Sequence, residues 1–77
     1  MQVCKSQHYQ NHTRIYPHLE LNQYAQRTEP AVDILQVKDG KWGISLSNTF
    51  EDMSPAEARQ LASALVIAAK MVEMGKC

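Results

Sequence analysis

The chain has 77 residues, a formal net charge of zero and a hydrophobic fraction of 44%, which is close to that of an average globular domain. We therefore expect one small folded domain over residues 1–77, and its balanced charge supplies no bulk field to hold a nucleic-acid backbone or an anionic membrane. No apolar stretch approaches the ~20 residues that span a bilayer, so the sequence predicts no membrane span.

The N-terminal segment, residues 1–12, is polar and contains Cys4, His8 and His12. It lacks the apolar run of a signal peptide, so we expect a cytoplasmic protein with free thiols. The segment would form a flexible tail or a short helix. On a helix, His8 and His12 would share one face and could bind zinc, but Cys4 would lie two turns away from His12. A zinc-stabilised domain is therefore a weak alternative, and we predict no cofactor.

Aromatic and cationic residues alternate through the N-terminal third of the chain. Tyrosines can stack on bases and cations can neutralise phosphates, so this pattern supports a nucleic-acid-binding module as an alternative function. The residues concerned are Lys5, Tyr9, Arg14, Tyr16, Tyr24 and Arg27. Because Glu20 and Glu29 offset the positive charge, we favour a protein partner over a nucleic acid.

Two regions have the alternating pattern of β-strands. Residues 18–24 predict an N-terminal strand. Residues 32–38 and 42–50 predict a β-hairpin, and Asp39-Gly40 between them is the dipeptide that a two-residue type I′ turn prefers, since both positions need a positive φ.

This turn implies a register in which Val37 faces Trp42 and Leu35 faces Ile44. One face of the hairpin would then be apolar and would pack on another element. Its members would be Leu35, Val37, Trp42, Ile44 and Leu46. Asp33 would share this face, at a solvent-exposed end of the sheet. We expect Trp42 to cover the core, and its place beside the turn also makes it a candidate partner contact.

The C-terminal region predicts one long helix over residues 55–74. Ser54 and Glu57 form a capping box with Pro55 at the first helical position. At 100° per residue a broad apolar arc would cover the hairpin. Its members would be Ala58, Leu61, Ala62, Ala64, Leu65, Ala68, Ala69 and Val72.

A second apolar strip on this helix contains Ile67, Met71 and Met74. One sheet face cannot cover both arcs, and a contiguous apolar strip is seldom left in water. Methionine suits adaptable interfaces, so we expect a homodimer that forms through these three residues.

Together these elements predict an α+β domain, with a small antiparallel sheet packed against one long C-terminal helix. The sequence offers no convincing catalytic residues, because it has no metal-protease motif, no phosphate loop and no nucleophile with an evident base. Glu51 and Asp52 precede the helix, where acids favour its N-terminus. We therefore predict a non-enzymatic accessory or regulatory module that docks on a protein partner.

Overall fold

A computed structural model describes residues 1–5, 12–21, 23–24, 28–36, 40–48 and 52–74. It shows a four-stranded antiparallel sheet packed against one C-terminal helix, which confirms the α+β fold class. The strands are β1 (Gln2–Lys5), β2 (His12–Tyr16), β3 (Ala31–Gln36) and β4 (Trp42–Ser47), and the helix is α1 (Pro55–Glu73). Each strand pairs with its neighbour in sequence, so β1 and β4 form the two edges.

The N-terminal strands lie upstream of the predicted one. In the interval 18–24 no described residue belongs to a strand, so that prediction was wrong. Pro17 follows β2 and cannot donate to a ladder, and the amide of Leu19 closes a turn on the carbonyl of Tyr16 at 3.4 Å. Of the segment for which a tail and a short helix were both open, residues 2–5 form the edge strand β1.

The hairpin of β3 and β4 is confirmed, but its predicted register is off by one residue. Gln36 faces Trp42 and Ile34 faces Ile44, whereas the predicted two-residue turn required Val37 to face Trp42 and Leu35 to face Ile44. Gly40 does adopt a positive φ of 71°, and its carbonyl accepts a hydrogen bond from the Gln36 amide at 3.1 Å.

A one-residue shift moves every side chain of one strand to the opposite face of the sheet. Leu35 and Asp33 therefore lie on the face opposite to Trp42 and Ile44, so the predicted apolar face was wrong at Leu35. Val37, its other predicted member before the turn, lies outside the described residues. The sequence was ambiguous here because β3 is buried on both faces from Ala31 to Ile34, so its apolar residues do not alternate.

The helix packs on only one face of the sheet, which we call the helix face. The core contains Ile15, Val32 and Ile34 from the sheet and Ala64 and Ala68 from α1. A helix is about 10 Å wide, whereas four strands about 4.8 Å apart span nearly twice that width. One helix therefore covers the centre of the sheet and leaves parts of both edges in water.

The helix α1 begins and ends close to the residues that the sequence predicted. The Ser54 hydroxyl accepts from the amide of Glu57 at 3.2 Å, and the Glu57 carboxylate accepts from the amide of Ser54 at 3.1 Å. Pro55 occupies the first turn, where its missing N–H costs nothing. The helix continues to Glu73, and the amide of Met74 bonds to the carbonyl of Lys70 at 3.0 Å.

The rotation of α1 about its axis differs from the prediction. The residues that face the sheet are Leu61, Ala64, Ala68, Met71 and Val72. Ala58, Ala62 and Leu65, which we expected on the sheet, are exposed. Ala64 and Ala68 are small, so the helix backbone comes close to β3 at these two residues. The side of α1 that faces the sheet therefore lies between the two apolar arcs that the sequence predicted.

Candidate interaction surfaces

The face of the sheet opposite α1, which we call the open face, centres on a buried carboxylate. Asp33 is only 3% exposed. Its Oδ1 accepts from Arg14 Nε at 2.7 Å and lies 2.8 Å from His12 Nε2, and Ser47 Oγ donates to its Oδ2. Because these partners come from β2 and β4, one side chain of β3 links three strands.

Hydrogen bonds hold the Asp33 carboxylate in its ionised form. Burial alone would raise the pKa of Asp33, but hydrogen bonds from Arg14, Ser47 and His12 outweigh that effect and hold the pKa below its ordinary value. The hydrogen bond to Asp33 in turn raises the pKa of Arg14. The Arg14 guanidinium also lies 5.9 Å from the ring centre of Tyr16, within reach of a cation–π contact.

The hydrogen bonds of the Asp33 cluster connect neighbouring strands and differ from those of a catalytic triad. In a Ser-His-Asp triad the histidine lies between the serine and the carboxylate, so that it can take the serine proton. Here Ser47 and His12 both bond to Asp33, and the carboxylate already has three partners. Sequence analysis missed this cluster, although an aspartate inside an apolar strand is a signal that donors must be nearby.

The described members of the zinc pattern, Cys4 and His12, lie in strands and not on a helix. Cys4 lies in β1 and His12 in β2, so the two do not share a helix, and His8 is outside the described residues. His12 instead bonds to Asp33. Within the described ranges no group of three or more His, Cys, Asp or Glu residues is placed to hold a metal ion.

The described residues that were proposed for nucleic-acid contact do not all share one face of the sheet. Arg14 and Tyr16 share the open face, whereas Lys5 pairs with Thr13, whose side chain belongs to the helix face. Tyr24 is 94% exposed in the connection between β2 and β3. Tyr9 and Arg27 lie outside the described residues. Because Asp33 already pairs with the Arg14 cation, the described members form no basic surface.

The predicted interface strip on α1 divides into two parts. Met71 is partly buried and packs against the core beside Ala64 and Ala68. Ile67 and Met74 are exposed on the flank of the helix. Trp42 also packs partly against the core, which agrees with the expectation that it covers the apolar interior.

One side of α1, between its sheet-facing residues and its exposed polar residues, is apolar along much of its length. We call this surface the outer strip, and its members are Ala58, Ala62, Leu65, Val66 and Ala69. Leu65 and Val66 are 37% and 54% exposed. Sequence analysis missed this strip because it assigned four of the five residues to the sheet-facing arc. The paired alanines Ala64 and Ala68 were the signal for where the closest contact would be.

The sheet also exposes apolar side chains at its edges, on the helix face. In β4 these are Ile44 and Leu46, which are 41% and 50% exposed, and in β1 the equivalent residue is Val3 at 49%. All three lie beyond the strip that the single helix covers. The described residues thus include ten large hydrophobic side chains that are exposed, against seven hydrophobic residues that are buried.

Comparison with known proteins found no matching family model, no matching curated protein and no matching solved structure. Function is therefore inferred from the chain itself. Within the described residues, α1 does not combine the length and apolar character that crossing a bilayer requires.

Proposed function

We propose that this protein is a non-enzymatic accessory or regulatory module in the cytoplasm, which docks on a protein partner and acts as a homodimer. The observation that carries the proposal is the outer strip of α1. This apolar side of the helix runs from Ala58 to Ala69, and covering it with a second protein is favourable because apolar surface is removed from water. The outer strip is therefore the surface that we assign to the partner.

The Asp33 cluster supports a role without catalysis. Its polar groups satisfy one another, and the carboxylate is held ionised between Arg14 and His12. A general base or nucleophile needs an unoccupied lone pair that points to a substrate. In this site hydrogen bonds between strands occupy the carboxylate of Asp33, so the cluster stabilises the sheet that carries α1.

The test is capture of the partner from nuclease-treated lysate of the cells that produce the protein, followed by reconstitution of the complex from purified components. We expect the wild type to retain a stoichiometric protein, and Val66→Glu to weaken binding of the purified partner at least 10-fold. A charge at the middle of the outer strip would have to be desolvated in the complex.

Ser63→Glu is the matched control, since Ser63 is exposed on the same helix beside the polar residues Arg59 and Lys70. It adds the same charge and should leave binding within about twofold. Equal binding by Val66→Glu and the wild type would contradict the proposal. Loss of every retained molecule on nuclease treatment would contradict it too, and would move a nucleic acid to first place.

A further inference from the structure

The two edges of the sheet differ in how well they are protected against pairing. Strand β1 has four residues and contains Lys5. It begins at Gln2, whose side-chain amide donates to three carbonyls of the connection between β2 and β3, at Glu20, Leu21 and Gln23. A short strand with a charged residue is a common protection of a sheet edge. Strand β4 has six residues, with neither a charge nor a proline from Trp42 to Ser47.

We propose that a second copy of this chain pairs antiparallel with β4, so that two sheets join into one of eight strands with both helices on the same side. This inference rests on the homodimer in the proposed function and moves its interface from the helix strip to β4. The backbone groups on the free side of β4 supply the hydrogen bonds, and the exposed apolar residues of the helix face supply the buried area.

The sequence of β4 is self-complementary in this arrangement. A two-fold axis perpendicular to the sheet keeps each face of one copy aligned with the same face of the other. With Ser45 opposite its own copy, Ile44 faces Leu46 of the second chain on the helix face. The two side chains that are left exposed in one chain thereby cover each other, and the pair occurs twice in the interface.

Charge at the ends of β4 favours the same partner. Lys41 precedes the strand, and Asp52 is the next charged residue after it among those described. Both are exposed. In an antiparallel pair the Lys41 end of one strand lies towards the Asp52 end of the other, so opposite charges flank an uncharged seam.

The helix adds apolar surface beside this seam. His18, which follows β2, lies 2.8 Å from Gln60, so the Gln60 side of α1 is turned towards β2. Leu65 lies about 140° around the helix from Gln60, at 100° per residue. Leu65 is therefore on the β4 side of α1, where it adds apolar surface that the second copy covers.

The test is the mass in solution of the full chain, measured by sedimentation at several concentrations, with two substitutions at equivalent places. Leu46 and Val3 are about equally exposed, on the same face and on opposite edges. One chain has a mass of 8.7 kDa, and we expect the wild type to sediment with twice that mass. Leu46→Lys should raise the dissociation constant at least 100-fold, and Val3→Lys should leave it within about twofold. Circular dichroism confirms that both variants fold.

A second measurement reads the register directly. In a Cys4→Ser, Cys77→Ser background, Ser45→Cys should form a covalent dimer on mild oxidation, because opposite residues in paired strands have Cβ atoms about 5 Å apart. Ser63→Cys, on the outer side of α1, should not.

A monomeric wild type at 100 µM would overturn the proposal, and so would a dimer that survives Leu46→Lys and fails to cross-link through Ser45→Cys. Neither result concerns the docking partner, because sedimentation uses the isolated chain. The Val66→Glu experiment tests the docking function separately.

Discussion

At the scale of single residues, the side chain with the largest structural consequence is Asp33. A buried charge is costly unless it is paired and hydrogen-bonded, and Asp33 has donors on both sides within the sheet. Its ion pair with Arg14 at 2.7 Å joins β2 to β3, and Ser47 joins β3 to β4. The polar contacts on the open face therefore help to specify which strands lie next to each other.

Replacing Arg14 should lower the free energy of unfolding more than removing the charge of Asp33 does. Arg14→Leu leaves the buried carboxylate without its main partner, and we expect a loss of about 3 kcal/mol in the free energy of unfolding at pH 7. Asp33→Asn keeps the size and one acceptor oxygen, and it lets the partly exposed guanidinium turn to water. Urea denaturation of both variants should show less than half of that loss for Asp33→Asn, and equal losses would contradict the pairing.

Stability should also depend on the ionisation of Asp33. Because its pKa is lower in the folded chain than in the unfolded one, its contribution is fully present above about pH 4 and is lost as pH falls through the folded value. Denaturation at pH 5 and pH 3 should show a decrease in the free energy of unfolding. Asp33→Asn should reduce this decrease without abolishing it, because the hydrogen bond from the backbone of Ser54 also lowers the pKa of Glu57. An unchanged profile in Asp33→Asn would exclude Asp33 as a cause.

At the scale of elements, the position of α1 on the sheet determines which surface remains free for a partner. Ala64 and Ala68 are fully buried against β3, whereas Ala62 on the outer strip is exposed. The same residue type therefore has opposite environments on two sides of one helix. The cap at Ser54 specifies where α1 begins, but it does not specify which side faces the sheet.

Two equivalent substitutions test this rotation. Ala68→Leu inserts three carbons at the closest helix–sheet contact, and we expect it to reduce the free energy of unfolding by about 1–3 kcal/mol. Ala62→Leu adds the same atoms in water on the same helix and should change stability by less than about 0.5 kcal/mol. Thermal unfolding of the two variants decides between the observed rotation and the predicted one, in which both alanines face the sheet and both substitutions would be destabilising.

At the scale of the whole molecule, the chain has a small core and a large exposed apolar surface. A domain below ~80 residues seldom gains more than about 3–5 kcal/mol from its own core, so association is an effective source of further stability. The outer strip of α1 meets the β4 seam at Leu65, and Val66 lies about 100° farther around the helix, away from the seam. A second copy can therefore cover Leu65 while the Val66 side of the strip remains accessible to a partner.

If the chain forms a homodimer, its thermal stability should depend on protein concentration. The melting temperature of the wild type should rise by several degrees when the protein concentration is increased 100-fold, because mass action favours the paired folded state. The melting temperature of Leu46→Lys should not change with concentration, and that of Val3→Lys should rise as in the wild type. A melting temperature independent of concentration in all three proteins would show that folding and association are not coupled.

The sequence by itself determined the elements that depend on local chemistry. The capping box and Pro55 specified the start of α1, and the alternation and turn residues around Gly40 specified a hairpin. Both signals act over a few residues, through backbone conformations and hydrogen bonds that neighbours can satisfy. They were sufficient to predict the fold class, with one helix on an antiparallel sheet.

Only the tertiary structure decided the register, the first two strands and the rotation of α1. In β3 both faces are buried, so its pattern permits either register, and the need to pair Asp33 with Arg14 and Ser47 selects one of them. On α1 two apolar arcs compete, and close packing at Ala64 and Ala68 selects the side between them. Such choices depend on residues far apart in sequence, and they determine which apolar side chains remain on the surface.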